Sequence, residues 1–575
     1  MVQLPTGDMP AARAGEEAPS EGRPTRADLA CCAWVSLGLF ALAVWPLGLV
    51  DLPPLQDLPN HLASQHIADH QHLYPEFVFN GLFKSNALLS LWLWVTHGLL
   101  GIGLLHAGRG FAAVVLGANA VGLPYFVLWF AGRRRMLVAS LFVWPLVHGF
   151  FVSMGMLNFS CAFPLSLWLL TVLDAQRRQP SWPRAVGITA LSALVWYAHP
   201  FPLAVVVGLV SMDVARISGW RGRLVAAGAR LGPLAPVGIL VGVTALRHLV
   251  KVRGAPAAAA SDHIFHPPWA LALHFWLDAS GALTRWGSMT IVPALLLPWV
   301  ALRTRRTTGT PSPGGSWVSG RPALVALAAT YVVLPFMLSN WAYLNCRLVP
   351  FLWATLALRV PTTVPRWMPA LLLGSALGFS VVLGLDYRRL DRDRASFTAG
   401  ISAVPEGAAL LPLVFDRHGS ADFTAPLTHA WAYYVLARDT SAPLVFAVER
   451  SYAITYRAFP PAALIPPALD RFAESHAAPP VERCGAEGRG ELECQYEWRT
   501  RWMDFWRQAE PRFTHVLTWA MPPAARQTIV PRSFRRTFVA GELEIYERDP
   551  ASDSSAVLEA TGPWGRPSRA TTVRR

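Results

Sequence analysis

The stretch ACCAWVSLGLFALAVWPLGLV (residues 30–50), followed directly by DLPPLQDLPNHLASQHIADHQHLYPE (residues 51–76), decides the fold. The first part holds no charged residue and is long enough to cross a bilayer as a helix, which takes about 20 apolar residues. The second part is rich in Asp and His and is too polar to lie in lipid. The sequence therefore predicts a membrane-spanning helix that leads into a polar loop at the membrane surface.

The composition of the whole chain extends this prediction. Of 575 residues, 53% are hydrophobic and only 15% are charged, which favours a membrane protein over a soluble globular one. The net charge of +14 comes from Arg in short clusters between apolar runs. Such clusters are topology signals, so we expect the lipid bilayer and not nucleic acid as a partner.

Apolar runs recur along the chain up to residue 386. They predict a polytopic α-helical membrane protein with about eleven spans, at residues 30–50, 110–131, 136–153, 157–174, 185–199, 201–216, 231–249, 288–302, 322–339, 343–359 and 367–386. The transmembrane domain is predicted to cover residues 29–386, with its first external loop at 51–109.

The Arg clusters set the predicted topology. All of them fall on one side of these spans, which the positive-inside rule makes the cytoplasmic side: Arg133, Arg134 and Arg135; Arg177, Arg178 and Arg184; Arg216, Arg221, Arg223 and Arg230; Arg303, Arg305 and Arg306; Arg359 and Arg366. This requires residues 88–105 and 269–283 to be interfacial helices; the alternative is that both cross the membrane. It also requires a hairpin within residues 185–216, broken at His199 and Pro200; the alternative is one long helix.

The C-terminal part has a soluble composition. Residues 387–550 alternate strand-like runs (408–415, 443–448, 514–519 and 538–546) with helical patterns at 427–438 and 498–506, which predicts a small extracytoplasmic α/β domain. Cys484 and Cys494 could close a disulfide there, whereas Cys31, Cys32, Cys161 and Cys346 lie in apolar runs as small hydrophobes. Residues 1–28 and 551–575 are predicted to be disordered tails, the first of them cytoplasmic.

The first loop carries the densest set of candidate functional side chains: Asp51, Asp57, Asn60, His61 and His66. A carboxylate beside His at a membrane interface can act as a general base or bind a cation. The alternative is that Asp57 caps the following helix, which has Pro near its start. His66 and His70 share a helical face, but their spacing matches no zinc signature. We therefore assign no metal ligands from the sequence. A divalent cation remains a possible cofactor.

Further polar residues lie at the external ends of predicted spans, among them Asn158, His199 and Arg347. Arg347 is placed to bind an anion such as a lipid phosphate; the alternative is an Arg that reaches to the headgroups. For His199 the favoured interpretation is an ordinary helix-end histidine bonded to a backbone carbonyl, over a role in catalysis. A basic patch (Arg247, His248, Lys251, Arg253, with Ser261, Asp262, His263 and His266) is expected to attract an anionic lipid donor or headgroups.

This order of elements resembles the GT-C superfamily of membrane glycosyltransferases: one span, a long first loop with an early acidic residue, spans with Arg-marked inner ends, and a final extracytoplasmic α/β domain. The segment at residues 57–63 also looks like the D-x-P-N-H-L-A segment of bacterial membrane proteins with this layout. The family often has a second acidic residue at the end of the third or fourth span, where this chain has Asn158.

The resemblance implies a function and a location. It implies a glycosyltransferase in the bacterial inner membrane that moves a sugar from a polyprenyl-phosphate carrier to an envelope acceptor, which could be a glycan, a lipid or a protein. Asp57, Asp51 and His61 would be the catalytic residues, and Arg347, Asn158, His199, Asn60 and His66 would bind substrate. The alternative is a non-enzymatic component of envelope glycan biogenesis, such as a transporter or an assembly factor.

Overall fold

The computed structural model describes residues 24–252, 263–303, 317–318, 320–338, 341–447, 452–458, 460–478, 480–488, 490–526 and 528–549. Most of the two predicted tails lies outside these residues. So do the side chains of Arg247, Lys251, Arg253 and Asp262 in the predicted basic patch. The helices are α1 (Arg26–Val44), α2 (Leu58–Asp69), α3 (Leu88–Leu93), α4 (Leu104–Ala131), α5 (Arg133–Val143), α6 (Phe150–Ser153), α7 (Leu157–Arg178), α8 (Trp182–Ala198), α9 (Pro200–Ala215), α10 (Trp220–Arg230), α11 (Ala235–Val252), α12 (Pro268–Leu277), α13 (Arg285–Ile291), α14 (Leu297–Arg303), α15 (Arg321–Val333), α16 (Val349–Ala357), α17 (Trp367–Thr398), α18 (Ala432–Arg438), α19 (Pro466–His476), α20 (Pro480–Glu487) and α21 (Glu491–Ala509). The strands are β1 (Phe77–Phe79), β2 (His263–Ile264), β3 (Met337–Leu338), β4 (Leu410–Val414), β5 (Ile454–Tyr456), β6 (His515–Trp519), β7 (Phe534–Ala540) and β8 (Leu543–Arg548).

Apolar helices form the larger part of the molecule. In the described part of the chain, five helices are long and apolar enough to cross a membrane, or seven if each of two bent pairs is one span. The bent pairs are Trp220–Arg230 with Gly232–Thr244, and Arg285–Ile291 with Ala294–Leu302. The remaining predicted spans are shorter helices, including Pro200–Ala215, Arg321–Val333 and Cys346–Ala357.

The bundle has its most buried helices at the centre. The apolar window of Leu157–Arg178 is 89% buried within the protein, whereas that of Arg26–Leu49 is only 22% buried. Gly122 lets α4 approach α7 closely, because a Cβ there would lie 2.7 Å from Pro164 Cβ. Helix α7 thus forms the core of the bundle, and α1 lies at its edge.

The two regions with open alternatives are short helical segments. The apolar helix Leu88–Leu99 ends before Gly101, and α4 then begins at Leu104, earlier than the predicted residue 110. Helix α12 ends at Leu277, so it is too short to cross a bilayer by itself. The predicted break at residue 199 is present, since His199 is extended between α8 and α9.

Basic residues gather at one end of the bundle. Asp174 accepts hydrogen bonds from Trp129 Nε1 (3.1 Å) and Arg178 Nε (2.9 Å), and Asp213 pairs with Arg177 and Arg230. These contacts bring together the C-terminal ends of α4, α7, α9 and α10. The first loop, the α8–α9 junction and residues 264–284 lie at the opposite end.

The C-terminal part contains a four-stranded mixed sheet in the order β4-β6-β8-β7, in which β4 and β6 are parallel and the other pairs are antiparallel. Two strand predictions were wrong. Residues 443–447 form no strand, and the predicted run 538–546 is two strands that turn at Gly541, because glycine accepts the positive φ of 58° there. Cys484 and Cys494 form a disulfide that links α20 to α21.

The first loop is bound into this C-terminal part. Strand β1 pairs antiparallel with β5, with Phe77 opposite Tyr456 and Phe79 opposite Ile454. Helix α2 packs against α18, and Gln56 Oε1 accepts a hydrogen bond from Ala425 N at 2.9 Å. The candidate site therefore lies where the first loop, the helix bundle and the C-terminal part meet.

Candidate active site

Asp57 is held at the start of α2 by a turn from the helix bundle. Its backbone N–H donates to Met154 O at 3.1 Å, and Gln56 N donates to Ser153 O at 3.2 Å. Gly155, with φ of +77°, lies so close that a Cβ there would be 2.6 Å from Asp57 N. Only glycine fits at this position, so the turn at residues 153–155 fixes the place of Asp57.

Gly155→Ala is expected to disturb this contact. Gly132 also has a positive φ (+80°), but a Cβ there would meet no atom within 4 Å, so Gly132→Ala adds only backbone strain. We expect hydrogen exchange of the amides of residues 56–58 to speed up about tenfold or more in Gly155→Ala, a loss of about 1.4 kcal/mol of local stability. Exchange at these amides should not change in Gly132→Ala. Equal effects of the two variants would show that the close contact does not hold Asp57.

The Asp57 carboxylate faces a histidine from the C-terminal part. Asp57 Oδ1 lies 3.6 Å from His429 Nε2, and both side chains are nearly buried. Asp57 is the N-cap residue of α2, as the alternative interpretation predicts, but its side chain makes no capping hydrogen bond. Because 3.6 Å is longer than a hydrogen bond, the carboxylate can accept a hydrogen bond from a third group.

Asn60 orients His429. Its Nδ2 lies 3.1 Å from His429 Nδ1 and 3.1 Å from Leu444 O, while its Oδ1 accepts from Phe446 N at 3.0 Å. This network fixes the amide so that His429 Nδ1 is an acceptor, and a neutral His429 then carries its proton on Nε2, towards Asp57. The polar atoms of Asn60 are thus used within the protein, in support of the Asp57–His429 pair.

His61 lies beside this pair. Its ring contacts Phe446 edge-on at 5.4 Å, and Phe446 stacks on Tyr452 at 5.0 Å. Desolvation by the surrounding protein lowers the pKa of His61 to about 4, against the opposing effect of the Asp57 carboxylate. His61 is therefore neutral near pH 7.

A second group of polar atoms surrounds Arg347. Its guanidinium is buried, lies over the Phe159 ring at 5.6 Å, and has Nη1 3.0 Å from His199 Nε2. His199 Nδ1 accepts from Phe201 N at 3.1 Å, so a neutral His199 carries its proton on Nε2. Two hydrogen-bond donors therefore face each other, and no carboxylate pairs with Arg347 among the described residues.

Aromatic residues connect the two groups. The turn that holds Asp57 leads into Phe159, which contacts Phe151 at 4.6 Å and the His199 ring at 5.5 Å. On the other side, Tyr452 lies within electrostatic range of the Arg347 guanidinium. The Asp57 group and the Arg347 group thus share one end of the bundle. They are joined by residues 150–159 from the bundle and by Phe446 and Tyr452 from the C-terminal part.

Three predicted site residues lie apart from these groups. Asp51 has an 87% exposed side chain, 3.9 Å from Arg394 Nη2. His66 Nε2 lies 2.7 Å from Asp439 Oδ1 and ties α2 to the end of α18. Asn158 is buried, accepts from Leu89 N at 2.8 Å and donates to Asn86 O at 2.9 Å, so its amide holds the start of α3.

Sequence reasoning missed several residues of this region. His429, Phe446 and Tyr452 come from the C-terminal part, and nothing in their local sequence distinguishes them from other loop residues. Asp278 follows α12 and is 1% exposed. Its charge and that of Asp57 both act on the Tyr343 hydroxyl, so a second buried carboxylate is present although position 158 is Asn. Lys84, which donates to Tyr452 O, is half-buried, and desolvation lowers its pKa to about 8.

The chain shares its fold with solved membrane proteins. No protein-family model and no curated protein matches the chain. The structure is similar to ArnT from Cupriavidus metallidurans bound to undecaprenyl phosphate, with a TM-score of 0.50, 11% identity, and coverage of 91% of this chain and 98% of ArnT. It is also similar to apo ArnT, with a TM-score of 0.48 and 11% identity over 90% of this chain and 97% of ArnT.

The arabinofuranosyltransferase AftD from mycobacteria is a further similar structure. Its TM-score is 0.46 at 15% identity, with 91% of this chain covered, and this chain spans 41% of the length of AftD. AftD and ArnT are both GT-C membrane glycosyltransferases, and this is the superfamily that the sequence resembles. By its apolar helices and its similarity to ArnT, this chain is a polytopic membrane protein with the fold seen in ArnT.

Proposed function

We propose that the protein is a glycosyltransferase that moves a sugar from a polyprenyl-phosphate carrier to an acceptor of the cell envelope. The observation that carries this proposal is the pair of donors at Arg347 Nη1 and His199 Nε2, 3.0 Å apart and buried. Two N–H groups at this separation are both satisfied when an acceptor oxygen lies beside them and takes a hydrogen bond from each. A phosphate oxygen also supplies the negative charge that a buried guanidinium lacks here.

The polyprenyl part of the proposal draws on the fold. ArnT, which shares this fold, has been crystallised with undecaprenyl phosphate. A lipid-linked phosphate can enter from the bilayer to the end of the bundle where His199 and Arg347 lie. There Phe159 provides an aromatic face beneath the guanidinium.

Asp57 is the base in this proposal. It takes the proton from an acceptor hydroxyl, whose oxygen forms a bond to the anomeric carbon of the sugar. The bond from that carbon to the phosphate oxygen breaks, and the electron pair leaves with the polyprenyl phosphate, which Arg347 and His199 stabilise. His429 Nε2–H is placed to orient the Asp57 carboxylate during proton transfer.

The same proposal assigns the topology. The Arg-rich end of the bundle faces the cytoplasm, about eleven spans cross the bacterial inner membrane, and the N-terminus is inside. The first loop and residues 387–550 then lie outside, where the C-terminal part binds the acceptor glycan, lipid or protein. The proposal also allows a divalent cation as a cofactor beside the Asp57 carboxylate.

Deletion of the gene in its host tests the proposal. We expect one envelope glycan or glycolipid to lose a sugar and the matching polyprenyl-phosphate sugar to accumulate, because its consumer is gone. Re-expression of the wild-type chain should reverse both changes. A non-enzymatic assembly or transport component would leave the sugar composition of the product intact and would alter only its amount or location, which would contradict the proposal.

A further inference from the structure

A cluster of metal-ligand side chains lies near the proposed site and takes no part in the proposed reaction. His274 and Asp278, at the end of α12, meet Cys346, which lies directly before Arg347. One donor atom from each of the three residues lies within 4.8 Å of the other two. We infer that His274, Asp278 and Cys346 bind a zinc ion.

The Asp278 carboxylate supports this inference. It is 1% exposed, and its contacts among the described residues are His274 Nδ1 at 3.3 Å and the Cys346 thiol. Its other oxygen, Oδ2, is buried and accepts no hydrogen bond from a described residue. A buried carboxylate needs a compensating cation or full hydrogen bonding, and a metal ion at this position supplies the charge.

The set of donors selects the metal. A thiolate, an imidazole nitrogen and a carboxylate oxygen are all zinc ligands, whereas Mg²⁺ and Ca²⁺ bind oxygen and disfavour sulfur. In tetrahedral zinc sites neighbouring ligand atoms lie about 3.5 Å apart, which is close to the 3.3 Å between His274 Nδ1 and Asp278 Oδ1. Three protein ligands leave a fourth position open, as in zinc sites that bind water or substrate.

The surroundings favour a defined site. Cys346 is fully buried, with its thiol 3.4 Å from Asn345 Oδ1. His266 stacks on His274 at 4.3 Å, and its Nδ1 is buried without a hydrogen-bond partner among the described residues. Asp278 also lines a cavity of about 20 Å³ beside Phe150 and Phe159, which is room for one water or ion.

The zinc ion would join two segments that hold the proposed active site. Beyond Asp278, the segment at Gly281 packs on His148 and Ser153, in the turn that leads to Asp57. Cys346 carries the other ligand next to Arg347. The ion thus ties the Arg347 segment to the side of the bundle that positions Asp57, and this role does not depend on the identity of the sugar or the acceptor.

Metal analysis of the purified full-length protein tests the inference. The protein, produced without a histidine tag, is stripped with a chelator in detergent, reloaded with Zn²⁺, desalted and analysed for metal by mass spectrometry. We expect about one zinc per chain in the wild type, and loss of most of it in Cys346→Ser and in Asp278→Asn. Cys161→Ser removes a buried thiol elsewhere in the bundle and should keep the zinc.

Cobalt loading of the wild-type protein gives a readout that needs no variant. We expect a thiolate-to-cobalt charge-transfer band, because Cys346 is a ligand, and its absence in Cys346→Ser. The inference is overturned if the wild type takes up no zinc, if Cys346→Ser and Asp278→Asn retain wild-type zinc while folded, or if bound cobalt shows no thiolate band. These outcomes are distinct from a failure of sugar transfer, since no step of the assay requires turnover.

Discussion

Asp57→Asn is expected to reduce sugar transfer by about 10²–10⁴-fold, the range lost when a positioned general base is removed. The Asn side chain has the same shape but cannot take up the acceptor proton. The carboxylate makes no capping bond to α2, and its partner among the described residues, His429, lies 3.6 Å away, so we expect the fold to depend little on its charge. We therefore expect wild-type expression and thermal stability, with donor lipid still bound.

Asp69→Asn is the matched control for this experiment. Asp69 lies at the far end of the same helix, where it accepts from Gln65 Nε2 at 2.9 Å, away from His429. The measurement is recovery of the missing sugar in the deletion strain complemented by each variant, at equal protein level. Full recovery with Asp57→Asn would remove Asp57 from the reaction.

Arg347→Met is expected to weaken binding of polyprenyl phosphate roughly 30-fold, about 2 kcal/mol, because a hydrogen bond to a charged group is lost together with its charge. Met keeps much of the apolar bulk over Phe159. Because the guanidinium faces another donor and has no carboxylate partner among the described residues, we expect little or no loss of thermal stability. This variant should therefore lose affinity for polyprenyl phosphate and keep the thermal stability of the wild type.

Arg285→Met serves as the control, since Arg285 lies outside the site, has a 77% exposed side chain and pairs with Asp422 at 2.9 Å. Binding of undecaprenyl phosphate in nanodiscs is measured for both variants and for the wild type. If Arg347→Met binds the lipid as the wild type does but is strongly destabilised, Arg347 has a structural role and the phosphate assignment is wrong.

The helical framework could be predicted from the sequence because its signal is local. The length of an apolar run matches the thickness of the bilayer that it has to cross. The Arg clusters mark one end of the bundle, where the structure places Arg177, Arg178 and Arg230 around two buried carboxylates. The predicted break at His199 also holds, since Pro200 and Pro202 cannot continue α8. The ends of helices were less accurate, and α17 runs on to Thr398 beyond the predicted residue 386.

The site was harder to predict because its partners are far apart along the chain. Asp57 and Arg347 stand out as polar residues at the ends of apolar runs, but His429 contacts Asp57 across 372 residues, and no local pattern marks it. Asn158 illustrates the opposite error. It stands where an acidic residue was expected, and only the structure reveals that its amide holds α3 while Asp278 supplies a buried carboxylate from another segment.

In the proposed reaction this chain transfers a sugar from a polyprenyl-phosphate carrier, with Asp57 as the base. The most direct measurement is transfer by the purified protein in nanodiscs, supplied with the lipids and envelope glycans of the deletion strain, which contain the unused donor and acceptor. We predict that the wild type forms an acceptor product heavier by one sugar and releases polyprenyl phosphate in equal amount, and that Asp57→Asn forms neither. Folded wild-type protein that forms no product, or Asp57→Asn protein that forms as much as the wild type, would contradict the account.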